Sequence, residues 1–210
     1  MAFIDIRTVF IVYVLTGALC AIVMASLWRH NRERFRGISL WLIYFILQFI
    51  AFLLIALRAL VPDFASIILA NTLIIGSTVI LYIGLERFLD KKSAQWHNYL
   101  MVSIFTIAHV YFTYIEPKLS LRNINLSLCL LFIFSQCAWL MFYRVEPKMR
   151  PSSRATGIVF VMFCLVSLGR IVYNSLKSTV TADFFKQGFY DALVLVIYMA
   201  VSYTHLTLPT

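Results

Sequence analysis

Charge is what this chain has least of. Only 13% of its 210 residues are Asp, Glu, Lys or Arg, while 62% are hydrophobic. A water-soluble domain carries about 25% charged residues, so this sequence cannot clothe a folded domain in a polar surface. Acids are the scarcer sign, nine against eighteen bases, which leaves a net charge of +9. In a soluble protein that excess would suggest nucleic acid. In a chain this apolar it reflects basic loops at a membrane face, and no nucleic-acid partner is expected. Proline is confined to polar connections (Pro62, Pro117, Pro147, Pro151) and to the C-terminal tail. That placement, with no internal repeat, argues against a small transporter fragment, whose spans are broken near the midplane. The cysteines (Cys20, Cys129, Cys137, Cys164) all lie in apolar runs without CxxC spacing and read as packing residues. The histidines are scattered, and there is no phosphate loop, nucleophile elbow or paired-carboxylate motif. No catalytic, cofactor-binding or metal-ligating residue is therefore expected in this chain.

What is abundant is apolar sequence, in seven runs: 8–28, 38–57, 64–85, 98–115, 123–143, 155–176 and from 188 onward. The first six have the roughly 17–25 residues that a helix needs to cross the hydrocarbon. Strand-like alternation is absent, and only helices or closed barrels satisfy their backbone in lipid. The expected fold is all-α, a polytopic membrane bundle of about seven transmembrane helices. Short polar connections join the runs, none long enough for a soluble domain. Gly17, Ala21 and Ala25 recur every fourth residue in the first run, spacing that lets helices pack closely within one chain or in a dimer.

Lys and Arg set the orientation. The first, third and fifth connections hold eleven: Arg29, Arg32, Arg34, Arg36, Arg87, Lys91, Lys92, Arg144, Lys148, Arg150 and Arg154. The N-terminus and the even connections hold six: Arg7, Arg58, Lys118, Arg122, Lys177 and Lys186. The positive-inside rule then predicts the N-terminus outside and the odd connections in the cytoplasm. All four tryptophans (Trp28, Trp41, Trp96, Trp139) fall near that cytoplasmic boundary. The first run is not a cleavable signal peptide, being too long and having its arginines behind it.

The seventh run ends early. From Gly188 to Ala200 it has 13 residues, about 20 Å of helix against roughly 30 Å of hydrocarbon. The following VSYTHLTLPT matches, residue for residue, the translation of a transposase-type sequencing adapter. Residues 1–200 are thus expected to be the native membrane module with its seventh helix truncated, and 201–210 a non-native tail. An authentic polar C-terminus is the alternative. A seventh span entered from outside would deliver the chain to the cytoplasm.

Polar residues within apolar runs are costly and usually face a bundle interior or a water-filled cavity. In this topology Asn71, His109, Arg170 and Asn174 share the outer third of their runs, and Arg58, Asp63, Glu116, Asp183 and Asp191 ring the outer mouth. The candidate ligand-sensing residues are therefore Arg58, Asp63, Asn71, His109, Arg170 and Asn174. Against a pocket stands the simpler reading that Arg170 snorkels and that Asn and His bridge helices.

The second and third runs resemble a known family. FRGISLW followed by LRALVPDFASIILANTLIIGSTVILYIGLERFL is similar to the N-terminal multi-pass membrane region of bacterial sensor proteins. Arg58, Pro62, Asp63, Ser66, Asn71, Gly84, Arg87 and Phe88 carry the likeness, and Ala59 stands where the family pattern has glycine. The resemblance is clear over 35–89 and loose to 200. It implies a homodimeric sensory module of the bacterial inner membrane that answers a small ligand or a membrane state. Its cytoplasmic output domain would be a GGDEF diguanylate cyclase, or alternatively a sensor histidine kinase. GTP and Mg would belong to that output domain, of which this chain shows no residue.

Overall fold

The computed structural model describes residues 6–33, 36–58, 60–146 and 150–176. Among these the chain is all helical between short connections. Its six helices are α1 (Ile6–Asn31), α2 (Ile38–Ala56), α3 (Ala70–Phe88), α4 (Trp96–Tyr114), α5 (Leu119–Tyr143) and α6 (Arg150–Leu176). A π-helical segment, Phe64–Leu69, runs directly into α3. Among the described residues four segments are long and apolar enough to cross a membrane: Ile38–Ala56, Phe64–Phe88, Leu119–Tyr143 and Ser153–Leu176. They cover the second, third, fifth and sixth of the seven expected spans. The first and fourth runs form helices as well, but α4 is diluted by His97, Asn98, Ser103, Thr106, His109 and Thr113. The seventh run and the tail 201–210 lie outside the described residues.

The chain divides into two compact units, one spanning 10–117 and the other comprising α5, α6 and the terminal residues. Within the first, α3 is the inner helix: half of its apolar window is buried, against 22% for α2. Glycine sets how closely α2 and α3 approach. Gly37, preceding α2, has φ of 96°, in the left-handed region that side chains disfavour. A Cβ there would lie 2.5 Å from the Gly84 carbonyl oxygen, and one on Gly84 would lie 2.6 Å from the Trp41 ring. The bare backbone at Gly84 thus seats the indole, which also meets Phe88 at 5.3 Å between ring centroids. On α1, Gly17 faces Phe49 of α2, the nearest atoms 3.8 Å from where a Cβ would sit. The first member of the small-residue stripe is therefore used for packing within the chain.

Hydroxyls inside the apolar helices are satisfied on their own backbone. Thr78 donates to the Ile74 carbonyl (2.7 Å), Thr106 to Val102 (2.8 Å), Ser127 to Asn123 (2.7 Å) and Ser167 to Phe163 (2.9 Å). In a medium without water this removes the penalty of an unsatisfied donor.

Among the described residues of the second unit, α5 and α6 form an antiparallel hairpin. Buried positions of α6 recur at Ser153, Gly157, Phe160, Phe163, Ser167, Arg170 and Asn174, a spacing of three and four residues that lays them on one helical face. Phe142 of α5 covers Gly157, and Phe134 stacks with Phe163 (4.8 Å) and Phe160 (6.1 Å). The same register carries Arg170 and Asn174 to the first turns of α5.

Candidate functional site

At that end of the hairpin the packed face turns polar. Arg170 donates through Nη2 to Asn123 Oδ1 at 3.1 Å, and Asn123 Nδ2 donates to Asn174 Oδ1 at 3.3 Å. The Asn174 amide closes the circuit by donating to the Arg170 carbonyl at 2.8 Å. All three side chains are buried, as is Arg122, the residue before Asn123 in the chain. The described hydrogen bond of the Arg170 side chain thus runs to Asn123 on the paired helix. Arg170 is 7% exposed, so it does not snorkel freely to solvent as a lipid-facing arginine would.

Arg122 corrects the sequence reading. It was expected in a connection, among the loop cations, but α5 begins at Leu119 and encloses it. Apolar content alone placed the start of that run at 123, because the charge of Arg122 breaks the hydropathy signal. The roles of Arg122 and Asn123 were missed for the same reason. The available signal was helical register: Asn123, Ser127, Leu130 and Phe134 share one face of α5.

The other candidates lie in the unit of α1–α4. Arg58 is half-buried in the turn after α2, and Asp63 is exposed and makes no capping hydrogen bond. Asn71 donates to the Ile67 carbonyl of its own helix at 2.7 Å. Ser66 does likewise to Pro62 at 3.2 Å, and the backbone amides of Ala65 and Ser66 converge on the same Pro62 carbonyl. Pro62, Ser66 and Asn71, three of the residues that carry the resemblance, thus organise the π-helical entry to α3. Such segments are uncommon and recur at functional sites. His109 is 2% exposed and stacks on Phe105 of its own helix at 5.0 Å. Thr72 and Thr106 form the described polar link from α3 to α4, at 3.3 Å. The structure therefore brings Arg170 and Asn174 together, with Asn123 between them. The described side-chain contacts of Asn71 and His109 fall within their own helices. Asp183 and Asp191 lie outside the described residues.

A second polar cluster escaped the sequence reading. Glu86, expected in the third connection, lies in the last turn of α3 and is 4% exposed. Its carboxylate accepts from Tyr82 Oη at 3.1 Å, from Ser93 Oγ, and from Gln95 Nε2 at 2.7 Å. Gln95 in turn accepts from the fully buried Asn98 at 2.7 Å. An anion at a helix C-terminus opposes the helix dipole, so these three donors are what hold it. The result ties the end of α3 to the start of α4 across residues 89–95. Beside it the exposed pair Arg36–Asp90, at 3.0 Å, sits at the same end of the unit. Trp28 donates to Ser39 at 2.9 Å there and lies under the Arg32 guanidinium.

No family model, curated protein or solved structure matches the chain. Among the described residues no three His, Cys, Asp or Glu side chains converge as a metal-binding set would.

Proposed function

We propose that this chain is the sensory membrane module of a bacterial signalling protein, in which a bundle of about seven spans biases a cytoplasmic output domain. The observation that carries the reading is Arg170, an ionisable side chain inside an apolar helix, buried and oriented by Asn123 and Asn174. An arginine at such a position is expensive in lipid and is retained where it meets a substrate, a signal or a partner charge. The family likeness over 35–89 supports a GGDEF diguanylate cyclase as the output. Two such domains must meet to join two GTP molecules, so a change in dimer geometry alters the rate. A ligand can shift that geometry only by binding two states of the bundle unequally.

The test is cellular cyclic di-GMP made by the full-length protein, with Arg170→Leu and Asp63→Ala compared with wild type at matched membrane levels. Arg170→Leu removes an insertion cost of a few kcal/mol at most, so the protein should still insert while its basal or stimulated output changes several-fold. Unchanged output in both variants would reduce these residues to packing. Histidine autophosphorylation without cyclic di-GMP would transfer the proposal to the kinase class.

Topology gives a separate prediction. Lys92 and Lys118 are both exposed, at opposite ends of α4. In a background without the native cysteines, a membrane-impermeant maleimide applied to intact cells should label Lys118→Cys and spare Lys92→Cys. The reverse pattern would invert the orientation and remove the output domain from the cytoplasm.

A further inference from the structure

We propose that the basic end of the unit formed by α1–α4 is a docking surface for the headgroups of anionic phospholipids. The Arg36–Asp90 pair, at 3.0 Å, and the close approach of Gly37 to the Gly84 carbonyl set the connection after α1 beside the one after α3. Arg29, Arg32, Arg36, Arg87, Lys91 and Lys92 gather at this end, and all six are exposed. The acids here are Glu33 and Asp90, both exposed, and Glu86, which is buried and held by three donors. The other two acids between residues 10 and 117, Asp63 and Glu116, lie at the opposite end of the helices. The positive excess is therefore a property of the unit's own sequence. The Arg36–Asp90 pair is too exposed to be strong, so a phosphate group can compete for that guanidinium.

Position decides what this charge meets. Of the two segments of this unit that are long and apolar enough to cross a membrane, one begins at Ile38 and the other ends at Phe88. The cations stand at those two ends, at the level where headgroups lie. Trp28 Nε1 donates to Ser39 Oγ at 2.9 Å, which holds the end of α1 beside the start of α2. The Arg32 guanidinium lies over the same indole, 5.4 Å from the ring centroid. Trp96, 68% exposed, opens α4 at this end. Indole rings settle at headgroup depth, guanidinium forks match phosphate oxygens, and lysine stems reach the same level along apolar surface. A polyanion in bulk water would draw on the cations alone. A lipid headgroup uses the cations and the indoles together.

Tryptophan fluorescence tests this, because three of the four tryptophans, Trp28, Trp41 and Trp96, lie at this end. The purified chain is reconstituted in phosphatidylcholine bilayers that contain a small fraction of brominated lipid, either phosphatidylglycerol or phosphatidylcholine, with the bromines high on the acyl chains. At equal fraction the brominated phosphatidylglycerol should quench more strongly, and the excess should shrink as added salt screens the surface. Arg29→Gln combined with Arg32→Gln, and separately Lys91→Gln combined with Lys92→Gln, should weaken that preference about five-fold for each charge removed. Lys118→Gln, at the other end of α4, should leave it intact. All the substituted positions are exposed, and two separate pairs keep the test decisive if one of them misfolds. Equal quenching by the two lipids overturns the proposal, as does a preference that both double variants retain. Loss of the preference to the same degree in Lys118→Gln also overturns it, by showing attraction to net charge and not to this face.

Discussion

Gly84→Ala should be among the most damaging single substitutions in the chain, although it adds one methyl group. Its Cβ would lie 2.6 Å from Cδ1 and 2.7 Å from Nε1 of Trp41, and 3.3 Å from the Leu40 Cβ. The indole is itself confined by Phe88, so it cannot swing away without opening the α2–α3 contact. Overpacking of this kind costs about 1–3 kcal/mol. Gly37→Ala should be worse. Its Cβ would lie 2.5 Å from the Gly84 carbonyl, a backbone atom, and at φ of 96° the new side chain adds conformational strain. A left-handed residue costs roughly 1–2 kcal/mol beyond the clash. Both variants should show lower thermal midpoints in detergent and reduced accumulation in the membrane. Trp41→Leu should recover part of the loss in the Gly84→Ala background, because the two residues share one contact. Wild-type midpoints for both glycine variants would refute the close approach of α2 and α3.

The second large effect is expected at Glu86. Glu86→Ala strips the acceptor from Tyr82, Ser93 and Gln95 together. An unsatisfied buried donor costs about 1–3 kcal/mol. Ser93 and Gln95 lie beside the connection, where water can replace the carboxylate, so the larger share should come from Tyr82, which is buried. A net loss of about 2 kcal/mol follows from that single donor. Glu86→Gln should lose less, since it keeps one acceptor oxygen. The connection should loosen as well, so trypsin should cut after Lys91 and Lys92 faster in Glu86→Ala than in wild type. Asp90→Asn is the control. It removes only the pair with Arg36, whose side chains are 82% and 80% exposed, and exposed pairs contribute little. Equal midpoints and equal cleavage in Glu86→Ala and wild type would show that Glu86 is not what holds α3 to α4.

This second cluster and the hairpin cluster mark where sequence reasoning stopped. Glu86 follows an apolar run and precedes Arg87, so by composition it belongs to a polar connection. Helix α3 continues through both, and the chain after it folds Ser93 and Gln95 back onto the carboxylate. That return depends on where residues 89–95 travel in space, which no periodicity encodes. Arg122 was misassigned for a related reason, since hydropathy marks where apolar sequence begins and not where helical hydrogen bonding begins.

The sequence by itself determined the class: little charge and many long apolar runs call for helices long enough to cross a membrane, because a helix satisfies its backbone locally. Which face of α6 is buried was not legible in the same way, because Ile158, Val161, Leu165, Leu168 and Val172 repeat at the same spacing of three and four and are exposed. The sequence pointed to Arg170 and Asn174 because a polar side chain in an apolar run is costly and therefore conspicuous. Tertiary structure alone decided their partner. Asn123 is 47 residues from Arg170 and 51 from Asn174, and only the antiparallel register of α5 on α6 brings them within hydrogen-bonding distance. Contacts between helices depend on the order and angle of packing, and many such packings are compatible with the same apolar faces.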